Sequence, residues 1–181
     1  MEKRHAIAYW LLPGPGAREL LARKIHELAR RFDAPLFVPH VTIFIAPERS
    51  GNSAQILAEL GATEIDLTIQ SIRFSEQFTK TLFVEFERSD RLQQLGDKIR
   101  KASSVPKRQI IDPHLSLLYA NLPSGAKQKL SDEIMLPFRQ IHFSSVCAVC
   151  CARPTTTARE VEQWKVIAPR SMFSQTRNAS V

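Results

Sequence analysis

The chain has 181 residues, 44% of them hydrophobic and 24% charged, the make-up of one water-soluble domain or of two small lobes sharing a core. No apolar run reaches the ~20 residues that a membrane-spanning helix needs, and the short apolar stretch after Met1–His5 is cut by Pro13 and Gly14, too soon for a secretory leader, so a cytoplasmic protein is expected. Lys and Arg outnumber Asp and Glu by 25 to 18; the net +7 favours anionic partners such as nucleotides or RNA ends, but it forms no dense basic block and also suits simple solubility.

Taken in order, residues 5–12 predict a first strand, ended by the turn Pro13-Gly14-Pro15-Gly16. That turn lacks the spacing and the lysine of a P-loop. Leu20, Leu21, Ile25, Leu28 and Phe32 recur at helical spacing and predict a helix over 17–32. A strand over 36–46 and a short helix over 54–60 come next. Two strands over 64–74 and 81–87, joined through Ser75–Lys80, read as a hairpin. Leu92, Leu95 and Ile99 mark a helix over 90–102, and a polar link over 103–112 leads to a strand over 113–120. A helix over 126–135 and strands over 138–152 and 161–168 follow, the last two joined by the turn-rich Arg153-Pro154-Thr155-Thr156-Thr157. The tail over 170–181 is rich in Ser, Gln, Asn and Arg and is expected to be mobile.

The order is β-α-β-α-β-β followed by α-β-α-β-β, which suggests duplication. One α+β domain over 1–169 is expected, bilobal and pseudo-symmetric, with two antiparallel sheets flanked by helices around a central cleft. The lobes would come from the two halves, roughly 1–88 and 89–169.

A repeated motif supports the duplication. Val38-Pro39-His40-Val41-Thr42-Ile43-Phe44 is matched by Asp112-Pro113-His114-Leu115-Ser116-Leu117-Leu118 in the other half. On a regular strand His40, Thr42 and Phe44 share one face, with Val41, Ile43 and Ile45 opposite. In the second copy His114, Ser116 and Leu118 share a face, with Leu115, Leu117 and Tyr119 opposite. A single His/hydroxyl face is most simply a polar strand surface. Its recurrence behind the same Pro-His points to two equivalent pairs meeting across a groove.

The paired motifs resemble those of the 2H phosphoesterase superfamily, and above all its cyclic phosphodiesterase branch. The likeness extends over roughly residues 5–168, in order. It includes the opening strand with Trp10 and Leu11-Leu12-Pro13, the run Phe37–Thr42, the run Pro113–Tyr119 and the closing strand with Trp164. The resemblance implies a metal-independent, cofactor-free enzyme, expected to be a monomer. It would open 2′,3′-cyclic phosphates of nucleosides, or ADP-ribose 1″,2″-cyclic phosphate, to monophosphates, the expected products being the 2′- and 1″-phosphates. His40 and His114 would be catalytic, and Thr42 and Ser116 would bind phosphate. Imidazole suits the chemistry because its acid and base forms coexist near neutrality. The pseudo-symmetry leaves the two roles nearly interchangeable, with a lean to His114 as base and His40 as acid.

Three aromatic residues are further substrate-contact candidates, each with a plainer reading. Tyr119 ends the second motif, but strand parity points it away from His114 and towards the core. Phe78 lies in the hairpin link, where an ordinary hairpin aromatic is the simpler account. Trp10 is cleft wall or core. His5, His26 and His142 lack a hydroxyl partner and read as surface or packing residues, and Asp112 reads as a turn former. Cys147, Cys150 and Cys151 lie on an apolar strand without a second pair for zinc, and read as buried thiols. The alternatives are an enzyme of the same superfamily acting on RNA ends, for which Lys107-Arg108 is a meagre basic surface, and a non-catalytic nucleotide-binding module, which would not need both histidines and both hydroxyls. A metal-dependent phosphodiesterase is disfavoured for want of clustered ligands.

Overall fold

The computed structural model describes residues 4–169; the tail over 170–181, expected to be mobile, lies outside the described residues. The elements in chain order are β1 (Arg4–Pro13), α1 (Pro15–Phe32), β2 (Val41–Pro47), α2 (Ser53–Glu59), β3 (Ile65–Phe74), a 3₁₀ turn (Phe78–Lys80), β4 (Leu82–Phe86), α3 (Asp90–Ala102), β5 (His114–Leu118), α4 (Ser124–Glu133), β6 (Gln140–Arg153), α5 (Ala158–Glu162) and β7 (Lys165–Pro169).

All strand pairs are antiparallel, and the hydrogen bonding runs β1-β2-β5-β4-β3-β6-β7 with β1 also paired to β6. Two seams in this array are thin. β2 meets β5 at one register pair, Val41 with Leu115. β3 meets β6 only over Ile65–Thr68. Between these seams stand two sub-sheets, β2-β1-β6-β7 and β3-β4-β5, and the α+β class with antiparallel sheets and flanking helices is the architecture found. The lobes differ from the expectation of consecutive halves. β1 and β2 lie with β6 and β7 from the far end of the chain, while β5 lies with β3 and β4. The cause is β6: at 14 residues it is the longest strand, and almost all of β1 zips onto it. The helices cross over too, α1 packing on β5 and α3 on β2.

One apolar core fills the space between helices and strands, with Tyr9, Leu11, Leu21, Ile25, Val41, Leu82, Phe86, Ile99, Leu115 and Phe143 among its buried members. The helices are anchored by the expected chemistry. Ser89 caps α3 by accepting from the Leu92 amide, and Asn52 caps α2 by accepting from Ala54 and Gln55. The helix α5 was not foreseen: it follows the expected turn and takes the first two residues of the strand expected over 161–168. Its signal is present, since Thr157 and Glu160 form a capping box.

Both motif strands begin later than expected, at Val41 and His114 rather than at 36 and 113. Pro39 and Pro113 have no N–H to give to a ladder, so pairing starts beyond them. Both strands also carry an irregularity. Tyr9 and Trp10 are neighbours on β1, yet they face Phe44 and Thr42, leaving Ile43 as an extra residue. Leu82 and Phe83 on β4 likewise face Leu118 and Ser116, leaving Leu117 extra. Each is a β-bulge, one residue past the motif hydroxyl.

Candidate active site

The bulges decide which side chains reach the cleft. Up to each bulge the sequence parity holds, with Val41, Ile43, Leu115 and Leu117 in the core and His40, Thr42, His114 and Ser116 on a cavity of about 590 Å³, which Ile43 and the core residue Phe44 also touch. After each bulge the faces swap. Phe44 and Leu118 join the core, while Ile45 and Tyr119 turn to the cleft side. The expected grouping of Phe44 and Leu118 with the histidines is therefore corrected, and so is the parity that pointed Tyr119 away from His114. An extra residue in a strand inverts everything beyond it, and hydropathy does not reveal it because Ile43, Phe44, Leu117 and Leu118 are all apolar.

All seven site residues picked from the sequence line this one cavity: His40, His114, Thr42, Ser116, Tyr119, Phe78 and Trp10. The two imidazoles are held in the same way. His40 Nδ1 donates to the Val38 carbonyl at 2.6 Å, and His114 Nδ1 donates to the Asp112 carbonyl at 2.7 Å. In each case the acceptor lies two residues upstream, across the proline. A neutral ring that donates from Nδ1 keeps Nε2 free as a proton acceptor. Asp112, read from sequence as a turn former, thus orients His114 through its backbone, and its carboxylate takes an ion pair from Lys80.

The surroundings of the two rings differ. His40 is buried, stacked on Trp10 with centroids 3.7 Å apart and planes within 11°, and met edge-on by Trp164 and Phe37. Burial lowers its pKa to about 4, against a smaller upward pull from the Val38 carbonyl and aided by the charge of His114. His114 is more open and rests edge-on to Phe83 at 5.6 Å. Burial also lowers its pKa, with Lys80 acting in the same sense and the Asp112 and Glu85 carboxylates opposing. In both rings burial favours the uncharged form, more strongly at His40.

The hydroxyls are disposed less alike. Ser116 Oγ donates to the Thr79 carbonyl at 3.0 Å. Thr42 is half-buried on the cavity wall. Tyr119 is buried, stacks on Phe37 at 3.9 Å and neighbours Ser116; burial pushes its hydroxyl pKa far up, which keeps it a donor. Phe78 lies in the 3₁₀ turn, 6.2 Å from the Tyr119 ring. The sequence reading passed over Lys80, Gln109 and Ile110, which also line the cavity. Nothing in their local pattern marks them, since loops bring them to the cleft. His5 and His142 are away from the lining, as is His26; His142 Nδ1 donates to Asp66 on the surface at 2.8 Å. The three cysteines are free, with Cys147 and Cys151 buried, and burial raises their thiol pKa values. Among the described residues no three His, Cys, Asp or Glu side chains gather in a group that could hold a metal ion.

The family model for cyclic phosphodiesterase-like proteins matches residues 5–172. A cyclic phosphodiesterase of Arabidopsis thaliana is 22% identical over 177 residues, spanning 92% of this chain and 94% of its own length. Among solved structures, Escherichia coli LigT complexed with 3′-AMP superposes with a TM-score of 0.54 at 13% identity, covering 92% of this chain and 96% of that one. The same protein complexed with NADP+ gives a TM-score of 0.51 at 15% identity, covering 94% and 96%. These structural likenesses establish a shared fold. A matched family model over nearly the whole chain goes further: the protein belongs to the cyclic phosphodiesterase-like family and is an enzyme of that class.

Proposed function

We propose that the protein hydrolyses the 2′,3′-cyclic phosphates of nucleosides or the 1″,2″-cyclic phosphate of ADP-ribose to monophosphates, by acid–base catalysis between His40 and His114. The observation that carries this reading is the pair of imidazoles, each fixed through Nδ1 by a carbonyl two residues upstream, lining one cavity with a hydroxyl two residues downstream of each. One neutral ring takes a proton from water as its oxygen attacks phosphorus. The P–O bond to one ribose oxygen breaks, and the other ring, protonated when the anionic ester binds, gives that oxygen its proton. Thr42 and Ser116, which line the same cavity, are the hydroxyl donors for the equatorial oxygens of the phosphoryl group as they gather charge. Ser116 must exchange its bond to the Thr79 carbonyl for one to phosphate, and the nearby Tyr119 hydroxyl helps to fill the site.

Which ring is acid is not set by tautomer, since both are held alike. Stacking on Trp10 favours a charged His40 while burial opposes it. At His114 the Asp112 and Glu85 carboxylates favour the charge, and burial and Lys80 oppose it. The product isomer reports the outcome, because the ester that opens is the one whose oxygen faces the acid.

Small nucleotides fit better than long RNA. Arg108, half of the basic pair in the link before β5, is held by Asp97 through contacts of 2.9–3.2 Å and is not free to follow a polyanion. That fold neighbours have been crystallised with 3′-AMP and NADP+ supports a cleft of this shape taking nucleotides.

The test is a metal-free assay with EDTA, following 2′,3′-cyclic AMP, ADP-ribose 1″,2″-cyclic phosphate and an RNA oligomer with a cyclic end by phosphorus NMR. Turnover of a small cyclic phosphate to one isomer supports the proposal. Turnover of the RNA alone transfers it to an RNA-end enzyme, and none on any of them refutes it.

A further inference from the structure

Ile110 has no folding reason to be where it is. It is 80% exposed, yet it lines the rim of the cavity, and the chain on both sides of it is fastened down. The side chain of Gln109 bonds both backbone groups of Ile45, its Oε1 accepting from the Ile45 amide at 3.2 Å and its Nε2 donating to the Ile45 carbonyl at 2.7 Å. Gln93, on α3, grips the other side: its Nε2 donates to the Gln109 carbonyl at 3.0 Å, and its Oε1 accepts from the Ile111 amide at 3.0 Å. Ile111 then packs over Gly96, where a Cβ would stand 2.8 Å from its terminal methyl.

This arrangement follows from the divergence of the motif strands. β2 and β5 touch only at Val41 and Leu115, so the β2 backbone at Ile45 has no neighbouring strand on the β5 side. Gln109 takes the place of one. Four side-chain-to-backbone hydrogen bonds hold three residues in a fixed path, and the middle residue is left in water. Scattered exposed isoleucines are ordinary, but one held rigid at the edge of a substrate cavity is an apolar contact made before the ligand arrives. The wall beneath it continues the character: Ile45, turned to the cleft by its bulge, and Ala8 line the same cavity.

We infer that Ile110 is a specificity residue whose side chain packs on the base of a bound cyclic nucleotide, held in position by Gln93 and Gln109. The inference rests on the reading of the cleft as a cyclic nucleotide site and adds the group that recognises the nucleoside end. A base offers a flat, weakly polar face, which suits an aliphatic rim and needs no hydrogen-bond partner there.

The experiment compares two substrates, 2′,3′-cyclic AMP and methyl ribofuranoside 2,3-cyclic phosphate, which has the same reacting group and no base. Wild type, Ile110→Ala, Ile110→Leu and Gln93→Ala are assayed with both. Ile110→Ala is expected to raise KM for the cyclic nucleotide about tenfold with kcat within about twofold, and to leave the base-free ester unchanged. Ile110→Leu should restore most of the affinity, and Gln93→Ala should move KM in the same direction as Ile110→Ala. An equal effect of Ile110→Ala on both substrates, or none on either, overturns the inference while wild-type turnover keeps the cyclic phosphodiester reading intact. Failure of wild type to turn over either substrate removes the nucleoside 2′,3′-cyclic phosphate reading and the inference together.

Discussion

The burial of His40 has a thermodynamic signature. Its pKa is about 4 in the folded protein, below the 6.5 expected in the unfolded chain. Between those values the unfolded state binds a proton that the folded state refuses, so stability falls as pH drops from 6.5 to 4 and levels off below. The full effect is on the order of 3 kcal/mol. Urea titrations across that range should show His40→Gln losing less stability than wild type by about this amount. Parallel curves for the two proteins would mean that the ring is solvated and not sealed under Trp10. That these residues meet in one cavity was readable because the sequence repeats a rare combination, Pro-His with a hydroxyl two positions on. Lys80, Gln109 and Ile110 were not readable, because each serves from a loop, where position depends on tertiary contacts and leaves no periodicity.

At the level of elements, the bulges at Ile43 and Leu117 re-aim the side chains of β2 and β5, the two strands that carry the motif residues to the cleft. They are also where sequence reasoning failed, since a one-residue insertion leaves an all-apolar run looking regular and inverts the face of everything after it. Tyr119 reaches the cleft only for that reason. Helix boundaries were legible to within a few residues, apart from the short α5. Helix α3 backs the β2 arm, and its Gly96 lets the helix approach closely. A Cβ there would stand 3.2 Å from the Ile43 carbonyl oxygen, which is backbone and cannot rotate away, as well as against Ile111. Gly96→Ala gains about 1 kcal/mol of helix propensity. The overpacking outweighs it, and we expect a net loss of about 1–2 kcal/mol in urea unfolding. A stabilised variant would show that α3 stands off from β2.

For the whole molecule, the interleaving of the two halves has a mechanical consequence. The fold class and the cleft between two equivalent motifs were foreseen from the duplicated pattern, but the pattern carries no information on which strand pairs with which. β1 and β2 are bound to strands from the end of the chain, and β5, from the second half, to β4 and β3 of the first. Neither sub-sheet can be lost without stripping strands from both halves. Unfolding should therefore be a single cooperative step, with coincident urea transitions in far-ultraviolet circular dichroism and in the fluorescence of Trp10 and Trp164. Two separated transitions would mean that the sub-sheets are independent units joined only by their thin seams.

The measurement that bears most directly on the central claim is kcat on 2′,3′-cyclic AMP in EDTA for wild type, His40→Ala and His114→Ala, with folding of each checked by circular dichroism. If the two rings act as the acid and the base, each folded variant loses roughly 10²–10⁴-fold in kcat. A folded variant of either histidine that retains near-wild-type turnover would contradict the two-histidine account.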